Sequence, residues 1–298
     1  MRSLLFIPGD SERKLDKAQT SGADALIIDL EDSITPERKA EARAITTRFL
    51  RQFGQARERP RLFVRVNAIA TGLVDADLDA VVAGRPDAIM LPKAEGGASI
   101  LHLDAKLAAR EALHDLADGH LRILALTTET AKALFLAGTY AGASARLIGL
   151  TWGAEDLSVE LGAETNRDTE GRFLDPYRLA RTLCLAAAAA AEVQAIDTVY
   201  VDFRNPAGLR REAEEARRDG FTAKLAIHPA QVEVINAVFT PAADAIAKAK
   251  AVVAAFAAEP GAGVVGIDGV MYDRPHLARA KQLLERAGAA GTSDGRHA

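Results

Sequence analysis

Cysteine is nearly absent from this 298-residue chain: Cys184 stands alone. One cysteine excludes an intrachain disulfide and any thiolate metal cage. Its setting, LCLAAAAAAEV, reads as a small buried thiol rather than a nucleophile. Long apolar runs are missing too. No stretch approaches the roughly 20 residues of a membrane span, and the apolar run in the opening MRSLLFIPG is too short for a signal peptide. Positive charge is not in excess. The net charge is −4, so no global basic field points to nucleic acid or anionic membrane. A G-x-S-x-G elbow and a P-loop are absent, no G-x-G-x-x-G follows the first strand candidate, and no nucleophilic triad emerges. The expectation is a soluble, cytoplasmic protein without nucleic-acid or membrane partners.

What is present is an ordinary globular composition, 49% hydrophobic and 26% charged. The length fits one large α/β domain or two ordinary ones. Short apolar runs alternate with helical patterns: SLLFI (3–7), DALIIDL (24–30), RLFVRV (61–66), DAIMLP (87–92), RILALT (122–127), RLIGLT (146–151), TVYVD (198–202) and KLAI (224–227). Near-continuous apolar strands suit a parallel sheet covered on both faces. Eight strand–helix units predict a (β/α)₈ TIM barrel over residues 1–229; a doubly wound open sheet is the competing topology. The Ala run 186–191 reads as a helix packed closely on the barrel. Residues 230–287 form a C-terminal helical extension. It is expected as two helices (230–238 and 242–257), a Gly-rich loop (259–269) able to act as a lid, and a last helix from Pro275. Residues 288–298 read as a disordered tail.

In such a barrel the active site lies at the C-terminal strand ends. Those ends carry Asp10, Asp29 with Glu31 and Asp32, Arg65 with Asn67, Lys93 with Glu95, Glu129, Glu155 with Asp156, Asp202 and His228. Two consecutive apolar runs stop at Glu129 and at Asp156. Each alone could be a helix N-terminal carboxylate. As a pair they favour Mg²⁺, which takes one or two carboxylates and leaves other positions to water and substrate. Arg65 suits bidentate carboxylate binding, and the competing use is an ion pair with Asp29 or Glu31. An arginine held by Asp29 would serve both ends, so Asp29, Glu31 and Glu129 stand with Arg65 as candidate substrate-binding residues. Lys93 and Glu95 read as a structural pair. Arg13 and Lys17, four apart, share a helix face that could hold phosphates of coenzyme A. His228 before proline reads more as structural than as a general base.

RSLLFIPGDSERKLDKA, DALIIDLEDS, RLFVRVN, IMLPKAEG, TTETAKALF, GAEDLS, KLAIHPAQVEVINAVFTP and GVMYDRPHLARA together resemble the citrate lyase β-subunit-like family, which includes malyl-CoA, methylmalyl-CoA and citramalyl-CoA lyases. The resemblance runs from residue 2 to about 287. It implies a Mg²⁺-dependent (β/α)₈ carbon–carbon lyase, a homotrimer or dimer of trimers, acting on a β-hydroxyacyl-CoA to give a 2-keto acid and acetyl-CoA. It also implies Glu129 and Asp156 as metal carboxylates and Arg65 as the clamp on substrate carboxylate and carbonyl. Asp273 of MYDRP matches the lid acid/base, often supplied by the adjacent subunit. Phe6, Arg13, Lys17, Ile227 and His228 fall where coenzyme A is contacted. Alternatives within the same resemblance are a citrate lyase β subunit acting on citryl-acyl-carrier protein and a malyl-CoA thioesterase or synthase. A catalytically silent thioester-binding protein is the alternative outside enzymes.

Overall fold

The computed structural model describes residues 1–54, 56 and 58–294. Eight parallel strands close into a barrel in sequence order, the last pairing with the first. They are β1 (Ser3–Pro8), β2 (Ala25–Asp29), β3 (Arg61–Arg65), β4 (Ala88–Leu91), β5 (Arg122–Thr127), β6 (Leu147–Trp152), β7 (Gln194–Asp197) and β8 (Ala223–Ala226). The outer layer begins with α1 (Glu12–Ala18), α2 (Lys39–Phe53), α3 (Val74–Val81) and α4 (Gly97–Leu113). It continues through α5 (Ala131–Leu136), α6 (Glu155–Glu160), α7 (Asp175–Ala190), α8 (Pro206–Asp219) and α9 (Val232–Phe239). Beyond these lie α10 (Ala243–Ala258), a hairpin of β9 (Val264–Ile267) and β10 (Val270–Asp273), and α11 (Arg274–Asp294).

Successive strand residues face opposite sides, and two cores result. Leu4, Ala25, Ile27, Phe63, Ala88, Met90, Leu124 and Leu225 fill the barrel interior. Their alternates, such as Leu5, Leu26, Ile28, Val64 and Ile89, pack outward against the helices. Alanines at 25, 88 and 223 leave room for Phe63 and Met90 in a lumen that must be filled but not strained. On α7, Ala187 and Ala188 are buried against this outer layer, as the Ala-rich stretch suggested.

Three expectations need correction. The seventh strand is QAID at 194–197, not TVYVD at 198–202. β-Branched residues made the later run the more strand-like of the two, but pairing to β6 and β8 uses 194–197, and Asp202 falls in the loop beyond. The Gly-rich stretch after α10 is not wholly loop; it holds the β9–β10 hairpin. Asp268 and Gly269 at its tip have φ of 50° and 75°, the left-handed pair that a two-residue hairpin turn requires. The expected tail from 288 is helical as far as Asp294, and residues 295–298 lie outside the described residues.

Residues of α10, the hairpin and α11 form an apolar cluster of their own, with Val252, Phe256, Val265 and Tyr272 at its centre, separate from both barrel cores. Among the described residues no helix is long and apolar enough to cross a membrane.

Candidate active site

Strand parity builds the first half of the site. Asp29 continues the inward set Ala25 and Ile27, and Arg65 continues Phe63; the register sets Asp29 and Arg65 directly opposite each other on β2 and β3. Arg65 Nε and Nη2 donate to the two Asp29 oxygens at 2.7 Å each, a bidentate pair. Backbone N–H groups of Glu31 and Ser33 donate to the same carboxylate. Arg65 Nη1 lies 2.9 Å from Glu31 Oε2, without the alignment of a hydrogen bond. The Phe6 ring lies 4.8 Å from the guanidinium carbon. Burial alone would raise the Asp29 carboxyl, but the bonds and charge of Arg65 outweigh it and hold Asp29 below the ordinary range. Arg65 is raised in turn: burial lowers it, and Asp29 more than offsets that. Both stay charged.

The second half comes from β4, β5 and β6. Lys93 and Thr128, just beyond β4 and β5, have φ of 49° and 62°. Left-handed backbone is uncommon for lysine and a real outlier for a β-branched residue, and such strain clusters at functional sites. Thr128 is followed by Glu129, only 3% exposed. The Lys93 N–H donates to Glu129 Oε2 at 2.5 Å. Lys93 Nζ lies 2.6 Å from Glu31 Oε1 and 3.2 Å from Asp156 Oδ1, with Asp32 at 3.6 Å. Asp156 sits in the first turn of α6. The expected Lys93–Glu95 pair is not formed: Glu95 instead accepts from Lys132 at 2.6 Å. With Lys93 left-handed, the chain turns between the two residues and they face different neighbours.

Glu129 is pushed well above the ordinary carboxylate range, by burial first and by the Asp156 charge second. A buried carboxylate facing another is what a divalent cation relieves. Among the described residues no group of three His, Cys, Asp or Glu side chains could hold a metal. Two carboxylate donors with open positions beside them fit Mg²⁺, which keeps water and substrate oxygens as ligands. Gly153 completes the pocket for Glu129, since a Cβ there would lie 2.9 Å from Glu129 Cγ.

The other residues singled out in the sequence are dispersed. Arg13 and Lys17 are exposed on α1, opposite buried Leu15 and Ala18. His228 stacks on Phe203 at 4.7 Å, and its Nδ1 accepts from the Ala230 N–H as a helix cap. The N–H groups of Ile227 and His228 both donate to Gln231 Oε1. Asp273 closes β10, and its carboxylate is bonded to His276 (Nδ1 to Oδ1, 2.5 Å), an interaction that holds it below the ordinary range. Among the described residues its bonds stay within 273–276 and do not reach the barrel mouth.

Lys39 was not anticipated. Its ammonium donates to the carbonyls of Leu30 and Glu31 and to Asn67 Oδ1, fixing the loop that carries Glu31. At the head of α2 it looks like any surface lysine, and only the fold brings it back to that loop.

Residues 2–229 match the HpcH/HpaI aldolase/citrate lyase family. A (3S)-malyl-CoA thioesterase of Cereibacter sphaeroides is 39% identical over 296 residues, covering 97% of this chain and 95% of its own. A mitochondrial citramalyl-CoA lyase of Rattus norvegicus is 32% identical, covering 96% and 86% respectively. The crystal structure of protein CitE from Mycobacterium tuberculosis, in complex with magnesium, acetoacetate and coenzyme A, superposes with a TM-score of 0.75 at 34% identity, covering 96% of this chain and 98% of that one. With the barrel, its mouth carboxylates and these likenesses in agreement, this chain belongs to the HpcH/HpaI aldolase/citrate lyase family.

Proposed function

We propose that the protein is a Mg²⁺-dependent carbon–carbon lyase that cleaves a β-hydroxyacyl-CoA of the malyl or citramalyl type into a 2-keto acid and acetyl-CoA, and runs the reverse condensation. The observation that carries this reading is the meeting, at one barrel mouth, of the Glu129–Asp156 pair and a guanidinium held rigid by Asp29. Glu129 and Asp156 would hold the cation, which when bound neutralises negative charge growing on substrate oxygen. Arg65 clamps the carboxylate and carbonyl of the keto-acid half, and its bidentate tether to Asp29 fixes it before substrate arrives. In cleavage the substrate hydroxyl gives its proton to water at the open mouth, its oxygen becomes that of the keto group, and the C–C electron pair passes to the thioester half as an enolate. Asp273, having taken a proton from water, delivers it to that carbon. Held as a carboxylate by His276, Asp273 is in the form that takes a proton from the acetyl-CoA methyl group in the condensing direction.

Asp273 would act on the mouth of an adjacent copy. Its segment packs on its own small core and exposes Val264, Val270 and Met271. An apolar hairpin face of this kind suits burial in a homotrimer or dimer of trimers. Arg13 and Lys17, free on the α1 face, would meet the phosphates of coenzyme A, with Phe6, Ile227 and His228 along its path. A cytoplasmic setting suits a chain whose one cysteine is a buried thiol, raised to about 12 by burial. A second reading, hydrolysis of the malyl thioester by the same site, is favoured by the identity to a malyl-CoA thioesterase.

The test is product analysis with malyl-CoA, citramalyl-CoA and citryl-CoA, each with Mg²⁺ and with EDTA. The expected result is metal-dependent release of a 2-keto acid and acetyl-CoA from one of the three. Free CoA and hydroxy acid without keto acid would establish hydrolysis instead, and silence on all three would point to a citryl-carrier substrate. Asp273→Asn is expected to abolish turnover and leave Mg²⁺ binding nearly intact.

A further inference from the structure

The two halves of the mouth are joined through one residue. Lys93 gives its backbone N–H to Glu129 and its ammonium to Glu31, with Asp156 at 3.2 Å and Asp32 at 3.6 Å. The backbone contact depends on the left-handed conformation at φ 49°, not on the nature of the side chain. The side-chain contact depends on its charge. Backbone and ammonium can therefore be tested separately.

Charge around Lys93 is unevenly shared. Asp29, Glu31, Asp32, Glu129 and Asp156 face Arg65 and Lys93. The bidentate bond commits Arg65 to Asp29, so the Lys93 ammonium is the nearest cation left for Asp156. A divalent cation on Asp156 must approach that same ammonium within a few ångström, and like charges at that range repel.

We propose that Lys93 is a positioning residue with a built-in competition: its N–H holds Glu129 in place, while its ammonium neutralises Asp156 and weakens binding of free Mg²⁺. The inference rests on Glu129 and Asp156 being the cation ligands. It makes cation and substrate bind together. A keto-acid carboxylate entering the mouth adds negative charge beside Arg65 and Lys93, which offsets the repulsion. Each ligand then tightens the other by the same factor, as linkage demands. Were the role of Lys93 merely structural, removing its charge would leave that coupling unchanged.

The experiment measures Mn²⁺ binding by electron paramagnetic resonance and Mg²⁺ binding by calorimetry, with and without pyruvate. For Lys93→Met we expect Mn²⁺ alone to bind at least about fivefold tighter than in the wild type, the low end for removing one like charge in a solvated mouth. The gain in Mn²⁺ affinity on adding pyruvate should shrink. Lys93→Arg keeps the charge and should stay near the wild type. Lys93→Asn, which tolerates left-handed backbone, repeats the charge removal should the methionine variant not fold. Unchanged or weaker Mn²⁺ binding in folded Lys93→Met or Lys93→Asn overturns the competition. Wild-type Mn²⁺ binding in Glu129→Gln and Asp156→Asn would instead remove the cation site on which it rests.

Discussion

Two pairs of opposite charge occupy directly facing positions on neighbouring strands of the same barrel, Asp29 with Arg65 between β2 and β3, and Asp197 with Lys224 between β7 and β8. Parity separates them. The first pair follows the inward residues and opens on the mouth; the second follows the outward residues and lies under the helices. Lys224 donates to Asp197 at 2.6 Å and to Glu212 at 2.9 Å, and Glu212 also accepts from Arg167 at 2.7 Å. Asp197 accepts from the Trp152 indole at 2.8 Å, with Arg181 at 3.5 Å. Lys224 is fully buried and Asp197 nearly so. Each cluster leaves one buried atom without an aligned hydrogen bond, Arg181 Nη2 beside the outer pair and Glu31 Oε2 beside Arg65. Around Arg65, however, the side chains of Lys93 and Asp32 open to solvent. The two ion pairs share their construction; what sets the mouth apart is charge that solvent, and so a ligand, can reach.

Breaking the outer pair should give the largest effect. Lys224→Met leaves Asp197 buried without its ammonium, and breaking a buried pair costs about 3–5 kcal/mol. Urea unfolding should show that loss, while the folded fraction keeps its kcat within about twofold. Arg65→Met should do the reverse to activity, lowering kcat/KM by about 10²–10³-fold, as removal of one preorganised charge-stabilising donor does. Equal activity losses in the two variants would erase the distinction between scaffold and site.

A finer comparison uses one methyl group in each region. In Gly153→Ala the new Cβ would stand 2.9 Å from Glu129 Cγ. The Glu129 side chain can give way, so the fold should survive, but Mg²⁺ affinity should fall by about 10–100-fold, the usual cost of disturbing what supports a ligand. In Gly208→Ala the Cβ would meet the Tyr200 hydroxyl at 2.1 Å and Asn205 Nδ2 at 2.7 Å. Overpacking there should cost about 1–3 kcal/mol of stability and leave Mg²⁺ affinity alone. Calorimetric titration and thermal unfolding of both variants separate the two outcomes.

The inner pair was legible in the sequence and the outer one was not, for a reason of period. Runs such as ALIID and RLFVR end in charge at the mouth, and strand-end reasoning alone reaches Asp29 and Arg65. Reading the seventh strand four residues late, at 198–202, put Asp197 outside it and hid its partnership with Lys224. Lys93 was visible at its strand end, but the left-handed turn that separates it from Glu95 and aims it at Asp156 is a backbone property that MLPKAEG does not announce. Lys39 and Gly153 matter through contacts that exist only once the barrel has closed.

The smallest expected effect is on pH, and it sharpens the same contrast. Burial would raise the Asp197 carboxyl, yet the charges of Lys224 and Arg181 outweigh it and hold its folded value below the ordinary one. A carboxyl depressed by folding contributes stability above its unfolded pKa, about 3.9, and that contribution is lost as pH falls through the folded value. The wild type should therefore weaken as pH drops below about 4. In Lys224→Met the depressing ammonium is gone and burial dominates, so Asp197 takes up its proton at higher pH in the folded state. Protonation then relieves the variant instead of penalising it. The stability gap between the two proteins should narrow from pH 6 to pH 3.5 in urea unfolding. A gap that stays constant would mean that Lys224 stabilises through packing of its methylenes, and that the outer pair is not held together by charge.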